Sequence, residues 1–242
     1  MKLLLISHNP FSSYQSMGKT FVSLFSAFPK EQLCQLYIYP SFPDVDAVAS
    51  CYRITDRDAI KRVFPFTKAG GEVSPRPYSG SMIENETDKK FYAKSSNNQP
   101  VKRLLRDLVW KLSNWYTADL QRWLDREKPD CIFLAPGYAK FIYDIALTIS
   151  RKRNIPVITY ICDDNYFLSE PKTAAGRLWL RLLQKKTRQI ISSRFSKKRY
   201  LSPQNSQKTK RFLKQKSPQI IDLWGFLPDR LFHTKNYQGA TT

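Results

Sequence analysis

Residues 2–7 form an almost unbroken apolar run of strand length, and a polar loop at residues 8–19 follows it. Beyond the loop, Phe21, Val22, Leu24, Phe25 and Phe28 recur at helical spacing until Pro29 stops them, because proline cannot continue a helix. A second strand is predicted at residues 35–39, closed by Pro40 and Pro43. Strand, loop, helix and strand in that order make a βαβ unit, from which parallel α/β sheets are built. Tyr52-Arg53-Ile54 predicts a short third strand. Thr55-Asp56-Arg57-Asp58 then opens a short helix, with Thr55 as its N-cap and the carboxylates favoured by the helix dipole.

From residue 65 to residue 99 the chain turns to Pro, Gly, Ser, Asn and Lys with scattered aromatics, which predicts a long surface excursion. Pro100 begins the clearest helical pattern. Val101, Leu104, Leu105, Leu108, Leu112, Trp115, Tyr116, Leu120, Trp123 and Leu124 predict one apolar face over about seven turns. Lys128-Pro129-Asp130 leads into a strand at 131–134, the turn Ala135-Pro136-Gly137, and a helix from Tyr138 to about Lys152. Residues 155–162 are apolar apart from Thr159, so a second βαβ unit is predicted, with strands apolar on both faces as a buried parallel sheet requires. A further helix carries Leu178, Trp179, Leu182 and Leu183 on one side, and residues 189–192 suggest one more strand. Residues 193–216 are Lys, Ser, Gln and Arg with few apolar anchors, a pattern with neither period. The fold expected is α/β, a Rossmann-like parallel sheet flanked by helices over residues 1–192, with a basic, irregular tail at 193–242.

Composition narrows the function classes. The chain has 242 residues, 42% of them hydrophobic and 14% aromatic, enough to bury a core and too apolar for a disordered chain. Four cysteines without C-x-x-C spacing and two histidines leave little for a zinc or redox site. The cysteines sit in apolar runs and read as small buried thiols of a reducing compartment. The apolar start is too short for a signal peptide and no membrane-spanning run occurs, so the expected location is the cytoplasm. The net charge of +20 suggests nucleic acid at first sight. Its distribution argues otherwise. Residues 171–221 hold 15 Lys and Arg and no acid, leaving 25 basic against 20 acidic residues elsewhere. Aromatics are not interleaved with these charges at stacking spacing, which disfavours a nucleic-acid surface. For 172–188 the favoured reading is an anionic membrane surface reached by Lys172, Arg177, Arg181 and Lys185 beside Trp179 and Leu180.

In an open parallel sheet, ligands bind beyond the carboxyl ends of the strands, which selects the loops at residues 8–20, 135–138 and 163–166. The first ends in Gly18-Lys19-Thr20, but a phosphate-binding loop needs a glycine five residues before Gly18, where Ser13 stands. What survives is close approach at Gly18 and an anion at the following helix N-terminus. Asp163-Asp164 are the most suggestive acids, able to hold a metal, accept a hydroxyl proton or hydrogen-bond a sugar. The plain alternative is a helix cap and a solvated carboxylate. His8 reads more readily as a structural histidine than as a base.

Ser7-His8-Asn9-Pro10-Phe11-Ser12, Gln35-Leu36-Tyr37-Ile38-Tyr39-Pro40, the strand lead Lys128-Pro129-Asp130, and residues 156–162 running into Asp163-Asp164 carry a resemblance. Over residues 1–192 the chain resembles the N-terminal, acceptor-side half of a GT-B fold glycosyltransferase. More narrowly, it is similar to bacterial glycosyltransferases of exopolysaccharide or capsule assembly. The resemblance implies two Rossmann-like domains facing a cleft, the first binding the acceptor and the second the sugar nucleotide. It implies transfer of a sugar to a lipid-linked or polysaccharide acceptor at the inner membrane face, with Asp163 or Asp164 binding or deprotonating the hydroxyl. Gly18 would lie near the donor phosphates, and its neighbours Lys19 and Thr20 are substrate-binding candidates. Tyr138 and Asp163-Asp164 would line the acceptor side, and His8, Asn9 and Gly137 are further substrate-binding candidates from the same loops. No metal or other cofactor is implied, because helix dipoles and basic side chains offset the leaving diphosphate's charge. Many retaining members carry paired glutamates in the second domain, and no Glu follows Glu170 here. The expectation is therefore a domain inactive alone, either with a frame-shifted tail or completed by a separate donor-binding chain. The alternative is a non-catalytic module for an anionic membrane or a partner glycosyltransferase.

Overall fold

A computed structural model describes residues 1–14, 16–64, 67, 70–76, 87, 90, 99–137, 139–160, 171, 173–192 and 196–198. Seven strands form one sheet: β1 (Leu3–Ser7), β2 (Leu33–Tyr37), β3 (Ser50–Arg53), β4 (Gly71–Val73), β5 (Cys131–Ala135), β6 (Val157–Thr159) and β7 (Ser196–Lys198). The spatial order is β4-β3-β2-β1-β5-β6-β7. All neighbours are parallel except β4, which runs antiparallel to β3 at one edge. The strands are accompanied by the helices α1 (Ser16–Leu24), α2 (Asp56–Lys61), α3 (Pro100–Leu112), α4 (Ala118–Glu127), α5 (Lys140–Arg153) and α6 (Ala174–Ser192). Without β4, the order 3-2-1-5-6-7 is that of a doubly wound Rossmann-like sheet. Its winding direction reverses between β1 and β5.

The alternating side chains of β1 explain the two layers. Leu4 and Ile6 pack with Trp110, Trp123 and the helices α4 to α6 on one face, and Leu3 and Leu5 pack with Phe11, Phe21 and Phe25 on the other. All five residues of β1 are buried, so the strand is apolar on both faces, as a central parallel strand must be. The lead Lys128-Pro129-Asp130 has a structural task. Lys128 takes the left-handed conformation that ends α4. The Asp130 carboxylate then accepts the Lys2 backbone N–H at 2.6 Å, while Asp130 N–H donates to the Lys2 carbonyl at 2.8 Å. One tripeptide thus stops a helix and sets the register of β5 beside β1.

Several expectations are corrected. The long helix predicted from Pro100 is two helices, because Ser113 is extended (ψ 134°) and Thr117 caps a new start by accepting the Leu120 N–H. The apolar residues before and after that break do not share one face. Val101, Leu105, Leu108 and Leu112 are exposed, whereas Leu120, Trp123 and Leu124 are buried. Residues 189–192 belong to the end of α6 and not to a strand. The last strand lies instead at Ser196–Lys198, within the stretch read as irregular, where it joins β6 through backbone pairing. Likewise β4 lies within the 65–99 excursion. Neither stretch has the apolar period that announces a buried strand.

Candidate functional site

Four elements bring polar side chains together at the carboxyl end of the sheet, beside the β1–β5 switch. His8 follows β1 directly, Asp56 opens α2 just after β3, Phe141 lies in the first turn of α5 after β5, and α3 crosses above with Arg106 and Trp110 on one side. Arg106 Nε donates to Asp56 Oδ1 at 2.9 Å, and the Trp110 indole N–H donates to the same oxygen at 2.8 Å. Arg106 Nη2 lies 3.2 Å from His8 Nε2, and His8 Nδ1 lies 2.9 Å from Asn9 Oδ1. Arginine is donor-only, so His8 Nε2 accepts and Nδ1–H donates to Asn9, which fixes one neutral tautomer. Burial, reinforced by the adjacent Arg106 charge, lowers the imidazole pKa to about 4. His8 is thus neutral near pH 7, with both ring nitrogens engaged. Its Nε2 accepts from Arg106 and helps to position that guanidinium.

The rings beneath hold this cluster in place. Trp110 stacks on Phe141 with centroids 4.4 Å apart and planes within 7°, and the Arg106 guanidinium lies 4.9 Å over Phe141. Arg106 and Asp56 form an ion pair with little exposure, 15% and 7% of their side chains. Together they offer donors and acceptors with no net charge, which suits hydroxyl groups more than a diphosphate. Asp107, the next residue of α3, takes the place of a missing cap. Ala139 gives α5 no side-chain cap, and the Phe141 backbone N–H bonds to the Asp107 carboxylate instead. Asp107 Oδ2 has no hydrogen-bond partner among the described residues, and burial raises the carboxyl pKa to about 6 against the pull of Lys140.

The loop after β1 is tied down from within. Its donors serve an internal carboxylate. Ser13 N–H donates to Asp44 Oδ1 at 2.6 Å, and the Ser12 and Ser13 hydroxyls donate to the same side chain. Gly18 lies buried under this loop. A Cβ there would stand 2.6 Å from Ser12 Cβ and 2.8 Å from the Pro10 carbonyl oxygen, so the close approach that needs glycine is made by the chain itself. Lys19 is exposed and Thr20 half-buried on α1. Gly137, at φ +54° with open space around its α-carbon, shapes the turn between β5 and α5. Asp163, Asp164, Tyr138 and Lys172 lie outside the described residues.

The membrane-facing set is divided. Arg177, Arg181 and Lys185 are exposed on α6, but Trp179 and Leu180 are buried, at 3% and 7% exposure. The Trp179 ring is covered by the Arg103 guanidinium at 4.4 Å. The expected place of Trp179 on the membrane-facing side is therefore corrected, since that ring is part of the α3–α6 packing. Sequence reasoning missed Arg106, Trp110 and Phe141 as a site and saw Asp56 only as a helix-start acid. The four-residue spacing of Arg106 and Trp110 was the available signal, because it puts both on one face of α3.

Among the described residues, no group of three or more His, Cys, Asp and Glu is placed to hold a metal ion, and no helix is long and apolar enough to cross a membrane. No protein-family model, curated protein or solved structure matches the chain.

Proposed function

We propose that residues 1–192 are the acceptor-side domain of a GT-B glycosyltransferase, which presents a glycan or lipid-linked acceptor to a donor-binding unit outside these residues. The observation that carries the reading is the winding reversal between β1 and β5 of a 3-2-1-5-6-7 sheet, where such sheets open a crevice, with the Asp56–Arg106 pair beside it. Parallel sheets bind ligands at this switch point, and a carboxylate paired with a guanidinium can accept from and donate to vicinal sugar hydroxyls. The Asp44-filled loop before α1 supports an acceptor role over a nucleotide-binding one, because an internal carboxylate repels the diphosphate that a donor would bring there.

Calorimetric titration of the full chain tests the reading with two probes, a water-soluble polyprenyl-diphosphoryl monosaccharide and a uridine-diphosphate sugar. The expected result is binding of the first and none of the second. In an Arg106→Gln variant that retains its fold, binding should fall about tenfold, the scale of one charge-assisted hydrogen bond. Binding of the nucleotide sugar alone, or of neither probe, would remove the proposal.

A further inference from the structure

Helices α3 and α6 lie side by side in the layer above the sheet and run in the same direction. A Cβ on Gly176 would stand 3.4 Å from Pro100 Cγ at their starts, and Arg103 covers Trp179 one turn later. Towards their ends, with α5 beneath, they leave a groove of about 960 Å³, within the range that ligand grooves occupy. Its walls are apolar. Leu104, Trp115 and Leu182 are half-buried, and Leu108 is 49% exposed. The cations along it differ in their surroundings. Lys140 and Lys186 share the Asp144 carboxylate, at 3.2 and 2.5 Å, and Arg188 is engaged. Lys111 on α3 and Lys185 on α6 are exposed and have no carboxylate partner among the described residues. An apolar trough flanked by two unpaired ammonium groups fits an apolar segment that carries carboxylates.

The sequence beyond β7 holds such a segment. Asp222 and Asp229 are the only acids after Glu170, and Ile220, Ile221, Leu223, Trp224, Phe226 and Leu227 accompany them. No Lys or Arg interrupts residues 217–229, although the stretch before them is strongly basic. We infer that residues 220–229 dock in the α3–α6 groove of their own chain. Trp224 and its apolar neighbours cover Leu104, Leu108 and Leu182, and the two carboxylates lie against Lys111 and Lys185. Reach permits it. The 21 residues from 199 to 219 span up to about 70 Å, whereas α6, with 19 residues, is only about 28 Å long. Tethering makes the contact intramolecular, which raises the segment's effective concentration at the groove. The inference does not depend on the glycosyltransferase reading, because it concerns the groove between the two helices and not the Asp56–Arg106 pair.

Zero-length carbodiimide cross-linking of the full chain, followed by peptide mass mapping, tests it. The reagent joins a lysine amine to a carboxylate in direct contact, forming an amide with loss of water. Amides from Asp222 or Asp229 to Lys111 or Lys185 are expected, and none to Lys19 or Lys128, which are exposed on other parts of the surface. Trp224→Ser combined with Phe226→Ser keeps both carboxylates and should remove these amides, because apolar burial holds the segment in place. In a mixture of ¹⁵N-labelled and unlabelled chains, each amide should join peptides of one label only. The inference is overturned if the groove lysines form no amide with either acid, or if Lys19 and Lys128 react with those acids equally. It is also overturned if the amides survive the double serine variant, or if they carry mixed labels, which would assign the groove to the segment of a second copy.

Discussion

His8 and Asp107 lie on either side of the same ion pair, and their titrations oppose each other. Burial and Arg106 hold the imidazole near a pKa of about 4 against its ordinary 6.5, so the folded state excludes a proton that the unfolded chain binds. Its contribution to stability is complete above pH 6.5 and is lost as pH falls towards 4. Burial lifts the Asp107 carboxyl from 3.8 to about 6, so the folded state holds a proton more tightly. That contribution is complete below the ordinary aspartate range and is lost as pH rises towards 6. Each is on the order of 3 kcal/mol, and between about pH 4 and 6 they oppose and largely cancel. His8→Gln should expose the Asp107 slope, with stability falling as pH rises through this window, and Asp107→Asn should produce the opposite slope. Urea unfolding at several pH values reads both. Identical pH profiles for the two variants would exclude this account. Gly18→Ala is a separate case, because its Cβ would be driven into the Pro10–Ser12 backbone. A loss of about 2 kcal/mol is expected from overpacking that the neighbouring backbone cannot relieve, measurable in the same unfolding assay.

At the scale of elements, α3 decides both the site and the surface. Its inward face meets α2 through Asp56, which accepts from the Arg106 guanidinium and the Trp110 indole at one oxygen. Asp56→Ala leaves a buried guanidinium and a buried indole N–H without that acceptor, so a loss of about 3 kcal/mol is expected. Chemical denaturation checks it, and a loss below 1 kcal/mol would show that α3 is held by ring packing alone. This helix was also where the sequence misled. Leucines four and three apart read as a core face, but the core side is set by Trp110 stacking on Phe141, a contact more than thirty residues distant in the chain. By contrast, β1 and β5 were legible, since a strand buried on both faces announces itself by a nearly unbroken apolar run, whereas β2, whose run is interrupted by the buried Gln35, was read two residues late. The short edge strands β4 and β7 owe their place to backbone pairing and left no such mark.

At the scale of the molecule, two βαβ units with an apolar strand pair at their centre were enough to foresee a parallel α/β sheet, and the reversal between β1 and β5 then located the crevice. The loops after β1 and β5 were foreseen there. The acid and the base that meet in it were not, because Asp56 and Arg106 converge only through the crossing of α3 over α2. Lys128-Pro129-Asp130, one of the motifs behind the family resemblance, joins α4 to the sheet. The central claim is that this crevice receives sugar hydroxyls. The Trp110 indole N–H, bonded to Asp56, is a built-in reporter of it. The most direct measurement is therefore a two-dimensional ¹⁵N–¹H spectrum of the Trp indoles during titration with the polyprenyl-diphosphoryl monosaccharide. The account predicts a saturable shift of the Trp110 signal, with the Trp123 indole, which donates to Ser50 in the core, unmoved. A Trp110 signal that stays fixed while the ligand binds elsewhere would contradict it.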